Sequence, residues 1–266
     1  MMAKNRDQFI GVFDSGVGGL TVLRKAMNAL PNDHFLYYAD SANTPYGTKK
    51  PEEITTLVDG SIMDMTKYPL KAVLLACNTA TSVAVEFLRS KYQIPIIGME
   101  PAVKPAVLAG DPRRILVLGT EMTIRSNKFH DLIKSLDATD QVDAIALPEL
   151  VNFAEEFEFD SPAVHRYLRE QLMDVNWMDY HSVVVGCTHF HYFENSLAKY
   201  ARPQIHFVDG IEGTINQLIN SIKTNKIGVP PKLKCMLSGI EVATEVLNPY
   251  LNYLNSKKTL FQSSLN

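Results

Sequence analysis

"VLLACNTATSVAVEF", residues 73–87, runs through four apolar residues, breaks at Cys77, Asn78 and Thr79, and resumes with helical spacing. A continuously apolar run of this kind reads as a strand covered by helices on both faces. The polar break then marks the handover from strand to helix. A second stretch, "VVVGCTHFHYFENSL" (183–197), has the same form around Cys187. A lone cysteine at a strand end is ordinarily a small apolar core residue, and Cys235 in "LKCML" (233–237) fits that description. Cys77 and Cys187 differ because each opens a polar turn. Backbone N–H groups and the helix dipole at such a turn lower the pKa of a thiol from its free value of about 8.5.

Working outward, short apolar runs alternate with helical patterns along the chain. The runs predict strands over 9–13, 34–39, 71–76, 94–98, 114–118, 142–147, 182–186 and 205–208, with "LKCML" as an edge strand. Helices are predicted over 19–29, 51–67, 79–90, 123–136, 161–175, 190–200, 212–224 and 239–254. This alternation predicts an α/β fold with mostly parallel sheets, in which ligands bind beyond the carboxyl ends of the strands. A weak repeat relates 10–26 to 115–133 and 73–99 to 183–209, in the same order. It predicts two pseudo-symmetric lobes, each a mostly parallel sheet flanked by helices, with the site in the cleft between them. Lobe one is expected to comprise 1–99 and 211–266 and to carry Asp14 and Cys77. Lobe two, 100–210, is expected to carry Cys187 and His189.

The bulk properties exclude several classes. The 266 residues are 46% hydrophobic and 21% charged, with a net charge of −3, so no basic footprint points to nucleic acid. No run approaches the ~18 apolar residues of a membrane span, and the N-terminal stretch lacks a signal-peptide core. Three widely spaced cysteines make no disulfide framework. A cytoplasmic protein with reduced thiols is expected.

Other motifs narrow the chemistry. "FDSGVGG" (13–19) is a glycine turn after a strand, but it meets neither the dinucleotide fingerprint nor the P-loop pattern. Asp14 falls at the sheet's carboxyl edge, where a buried carboxylate can hold or steer a proton, and Ser15 offers a hydroxyl. "DSANTPYGTKK" (40–50) reads as a turn-containing surface loop, with Tyr46 suited to line a small polar site. In "GCTHFH" (186–191), Cys187, His189 and His191 alternate as on a strand, yet their spacing matches no common zinc pattern. His189 is better placed as a proton partner of a cysteine, and His191 reads as solvated.

"IGVFDSGVGGLTVL" (10–23), "PYGTK" (45–49), "LLACNTATSVA" (74–84), "IPIIGMEPAVKPA" (94–106) and "GCTHF" (186–190) together resemble glutamate racemase, of the cofactor-independent aspartate/glutamate racemase superfamily. The resemblance runs from about residue 10 to about residue 225. The chain departs from the family pattern at Phe190 in "GCTHF", at Gly210 in "VDG" and in "NFAEEFEF" (152–159). The resemblance implies interconversion of L- and D-glutamate without any cofactor, for peptidoglycan synthesis. It implies that Cys77 and Cys187 act as bases on opposite faces of the α-carbon, Cys77 toward the D- and Cys187 toward the L-enantiomer. It also implies that Asp14 assists Cys77, that His189 assists Cys187 and that Glu155 tunes His189. Ser15, Tyr46, Gly47, Asn78, Thr79, Thr120 and Thr188 are implied to bind the amino acid, together with Asp14 and His189, and a homodimer is implied. An aspartate or broader acidic amino-acid racemase is the near alternative. A metal-dependent hydrolase on Cys187, His189 and His191, or a non-catalytic module binding an acidic amino acid, are alternatives of other classes.

Overall fold

The computed structural model describes residues 8–224 and 230–256. The outermost parts of the expected first lobe, 1–7 and 257–266, together with 225–229, lie outside the described residues. The first half builds β1 (Phe9–Asp14), α1 (Leu20–Ala29), β2 (His34–Ala39), α2 (Pro51–Met65), β3 (Leu70–Leu75), α3 (Asn78–Lys91) and β4 (Ile96–Gly98). After α4 (Val103–Leu108) come β5 (Arg114–Gly119), α5 (Glu121–Arg125), α6 (Asn127–Ser135), β6 (Val142–Ala146), α7 (Glu149–Glu155) and α8 (Pro162–Leu172). Then come β7 (Tyr180–Val185), α9 (Glu194–Ala198), β8 (His206–Asp209), α10 (Ile211–Ser221), β9 (Leu233–Leu237), β10 (Ile240–Val242) and α11 (Asn248–Ser256).

Two sheets result, ordered β10-β9-β2-β1-β3-β4 and β6-β5-β7-β8. The run β2-β1-β3-β4 has the same connectivity as β6-β5-β7-β8, so the weak sequence repeat is a repeat of topology. Among the described residues, every pairing is parallel except β9 with β10. β1 is buried along its whole length and β5 and β7 are buried beyond their first residues, which is why these segments read as unbroken apolar runs. Helix starts obey local chemistry. Pro51 opens α2 with Glu52 and Glu53 in its first turn, where a missing N–H costs nothing and negative charge meets the helix dipole.

Some expectations are corrected. The helix expected over 123–136 breaks at Ser126, whose hydroxyl accepts from Phe129 N–H (3.2 Å) and caps α6. The one expected over 239–254 is a hairpin and then a shorter helix. Ser238 and Gly239 both take positive φ (43° and 85°) and turn β9 into β10, as two-residue hairpins require. β9 is therefore not an edge strand, because β10 lies outside it. Helix 190–200 is replaced by a tight turn at Thr188–Phe193 and the short α9.

Candidate active site

Strand ends bring the chemistry together. Asp14 ends β1 and is fully buried. One carboxylate oxygen accepts from Gly16 N–H (3.0 Å) and the other from the Thr188 hydroxyl (3.1 Å), which belongs to the second sheet's loops. Burial raises its pKa from 3.8 to about 6, against the opposing pull of His189 and these two donors. Cys77 follows β3 and caps α3, its Sγ accepting from Ala80 N–H (3.4 Å) and lying 3.6 Å from Ser15 Oγ. The expected lowering of its pKa is overturned. Burial, reinforced by the charge of Asp14, pushes the thiol up to about 12, and the helix-end N–H and Ser15 only temper the rise. Loss of water around a thiolate outweighs a single turn's dipole.

Cys187 follows β7 and is also buried. Its Sγ lies 3.9 Å from His189 Nδ1, whose Nε2 is 2.7 Å from Glu155 Oε1. Burial disfavours a charged imidazole, but the bonds to Cys187 and Glu155 together outweigh it and hold the ring's pKa well above its usual value. From Cys187 the chain enters a tight turn that carries His189 and His191, so the strand-like alternation expected of Cys187, His189 and His191 is not realised. His191 is 5% exposed rather than solvated, with Nδ1 3.5 Å from Glu194. Among the described residues, no three His, Cys, Asp or Glu side chains are placed to hold a metal ion.

The glycine turn after β1 is explained by this neighbourhood. A Cβ on Gly18 would lie 2.5 Å from His189 Nδ1 and 2.7 Å from its backbone nitrogen, and one on Gly16 would lie 1.8 Å from Glu155 Oε1. The loop is bare so that its backbone can press against the second sheet's residues. Val17 N–H donates to Glu155 (2.7 Å), and Tyr37 and Tyr192 hydroxyls hold the carbonyls of Gly16 (2.6 Å) and Val17 (2.9 Å). Gly18→Ala is therefore expected to lose about 1–3 kcal/mol of stability by overpacking, read from denaturant midpoints; an unchanged midpoint would contradict this contact.

The remaining candidates close the space between the two thiols. Tyr46 is buried within its loop, its hydroxyl donating to Asp40 (2.6 Å). Burial and that bond raise its pKa. Gly47 lies against Thr120, where a Cβ would meet the Thr120 Cβ at 2.8 Å. Thr79 Oγ1 is 2.8 Å from Thr120 Oγ1. The Asn78 amide donates to Met99 O (3.3 Å) and leaves its own oxygen buried without a hydrogen-bond partner among the described residues. These residues, Ser15, Thr188, His189 and both thiols line one cavity of about 10 Å³, space for about one water. Asp14 and Glu155 stand behind this lining. Val151 of α7 completes the wall; a single valine in a short helix carries no sequence signal.

A family model described as Asp/Glu/Hydantoin racemase matches residues 10–218. The chain belongs to the Asp/Glu/hydantoin racemase family. It is thereby an isomerase. Within this racemase family it is similar to a glutamate racemase from Halothermothrix orenii, 41% identical over 249 residues that cover 94% of this chain and 93% of that protein. Its fold is similar to the glutamate racemase of Campylobacter jejuni, with a TM-score of 0.79 at 27% identity, covering 94% of this chain and 100% of that one. Escherichia coli glutamate racemase, solved with L-glutamate and the activator UDP-MurNAc-ala, matches at TM-score 0.77 and 27% identity, over 93% and 95% of the two chains. Among the described residues, no helix is long and apolar enough to cross a membrane.

Proposed function

We propose that the protein interconverts L- and D-glutamate by a two-base mechanism, with Cys77 and Cys187 on opposite faces of the α-carbon. One observation carries this reading: two buried thiols, from the carboxyl ends of β3 and β7 in different sheets, line a single cavity. Cys77 would act on the D-enantiomer and Cys187 on the L-enantiomer. Asp14, at the crossing of the two halves, would assist Cys77. His189, held by Glu155, would carry the proton at Cys187. The two thiols thus have unlike partners for the same task. At Cys77, a thiolate made strongly basic by burial would suit a weakly acidic C–H, and the substrate's ammonium group would supply the compensating positive charge. Ser15, Tyr46, Gly47, Asn78, Thr79, Thr120 and Thr188 supply hydroxyl, amide and backbone donors for two carboxylates. Such donors would also stabilise the carbanion through the α-carboxylate, so no cofactor is required.

Because the cavity holds about one water, its lining would shift to admit an amino acid between the two halves. They would correspond to 1–99 with 211–266 and to 100–210. The product would serve peptidoglycan synthesis in the cytoplasm, and a homodimer is consistent with the family.

Purified protein should convert either enantiomer to a racemic mixture without added cofactor, monitored by circular dichroism. Glutamate and aspartate differ by one methylene, worth about 10- to 200-fold in discrimination, and kcat/KM should favour glutamate by a factor in that range. Preference for aspartate would overturn the substrate assignment. Inactivity of folded protein on both amino acids would overturn the reaction.

A further inference from the structure

Helix α7 delivers Glu155 to His189, and the way it ends is unusual. Glu158 N–H bonds to Phe153 O (2.8 Å) and Phe157 N–H to Ala154 O (3.1 Å), the bonding of a Schellman motif, whose left-handed residue is usually glycine. Here that residue is Phe157, at φ 61°. A bulky side chain persists in that conformation only when its surroundings over-determine it. Phe157 is 44% exposed, and what holds it is Phe159, edge-on at 4.7 Å, together with α11. Tyr250 packs edge-on to Phe157 with ring centroids 5.0 Å apart, and Tyr253 lies 6.1 Å away. The Tyr250 hydroxyl donates to the backbone carbonyl of Glu155 itself (2.9 Å).

α11 reaches the same carboxylate by a second route. Tyr253 donates to Tyr192 O (3.3 Å), Tyr192 donates to Val17 O (2.9 Å), and Val17 N–H donates to Glu155 Oε1 (2.7 Å). The far end of α11 is tied to α1, where Arg24 donates to Leu254 O (3.1 Å). The groups that hold Cys77, Ser15 and Ala80, belong to other elements.

We infer that Tyr250, with Phe157 as its seat, is a positioning residue for the Cys187 half of the reaction: its hydroxyl fixes the end of α7 so that the Glu155 carboxylate stays on His189 Nε2. The inference rests on the assignment of Cys187 as the base for L-glutamate. Enantiomers have equal free energy, so kcat/KM must be the same in both directions for every variant, and a one-sided defect is invisible in rates alone. It is visible in primary isotope effects, because the α-deuteron of L-glutamate leaves to Cys187 and that of D-glutamate to Cys77. Raising the barrier on one side enlarges the isotope effect from that side and shrinks the other.

The experiment measures the isotope effect on kcat/KM with α-deuterated L- and D-glutamate for wild type, Tyr250→Phe, Glu155→Gln and Ser15→Ala. Tyr250→Phe, which removes one hydroxyl, should lower kcat/KM about 3- to 10-fold, the worth of a single hydrogen bond. Its L-to-D ratio of isotope effects should rise, as in Glu155→Gln, while that of Ser15→Ala falls. A ratio in Tyr250→Phe that stays at the wild-type value or falls, with Glu155→Gln raised, overturns this inference alone. An unshifted ratio in Glu155→Gln overturns the assignment of Cys187 and its partners, and this inference with it.

Discussion

Cys77→Ala and Cys187→Ala should each lose racemisation by at least about 10³-fold, within the range attributed to a positioned general acid or base. The loss comes from geometry. With one thiol gone, the carbanion has no proton donor on one face, and a carbon held in one orientation cannot be served on both faces by the remaining sulfur. The surviving base keeps its own enantiomer. In heavy water, Cys187→Ala should place deuterium in D-glutamate without inverting it, and Cys77→Ala should do so with L-glutamate, both monitored by loss of the α-proton NMR signal. Both cysteines are buried side chains of small volume, so alanine is expected to keep the fold, checked by far-ultraviolet circular dichroism. Full racemisation by either folded variant would contradict the assignment.

Asp14→Asn should move activity and stability in opposite directions. Activity falls because the side chain beside Cys77 can no longer take up or release a proton, by about 10²- to 10⁴-fold. Stability rises because a buried charge is removed. Below pH 3.8 the carboxyl is protonated in both folded and unfolded chains and imposes no cost. Between 3.8 and about 6 the folded form retains a proton that the unfolded form releases, so stability falls as pH rises. Above about 6 the cost is constant, on the order of 3 kcal/mol. The uncharged amide of Asp14→Asn would avoid it, and the Thr188 hydroxyl can turn to accept from that amide. Denaturant midpoints should therefore favour the variant by about that amount at pH 8 and by less than about 1 kcal/mol at pH 4. Equal stabilities at pH 8 would show that the carboxylate is not penalised by burial.

Part of this architecture is legible in the sequence, and the rest is hidden for physical reasons. Strands β1, β2, β5, β7 and β8 appear within a residue or two of their expected bounds, because strands buried on both faces must be apolar throughout. The repeat of strand order is visible only because each half places a cysteine turn after its third strand. α4 and α7, at 6 and 7 residues, are too short to show helical periodicity. Hence Glu155 can be assigned only by resemblance, and Val151 and the α11 contacts are invisible. The "SG" at 238–239 is a turn signal overridden by the helical look of residues 240–254. The thiol pKa is misread because a helix end can be recognised in a sequence, whereas the dehydration of Cys77 depends on residues from both halves. His191 is misread similarly, since its partner Glu194 lies one turn on in a segment that has the look of an exposed helix.

Two different groups are assigned to handle the proton on the two faces of one carbon. The most direct measurement is the isotopic content of both enantiomers when unmodified protein begins to convert L-glutamate in heavy water. Two bases predict that the first D-glutamate formed carries solvent deuterium at the α-carbon while the remaining L-glutamate keeps its original proton. First-formed D-glutamate that retains the substrate's own α-proton would mean that one group carries it across, and would contradict the two-base assignment.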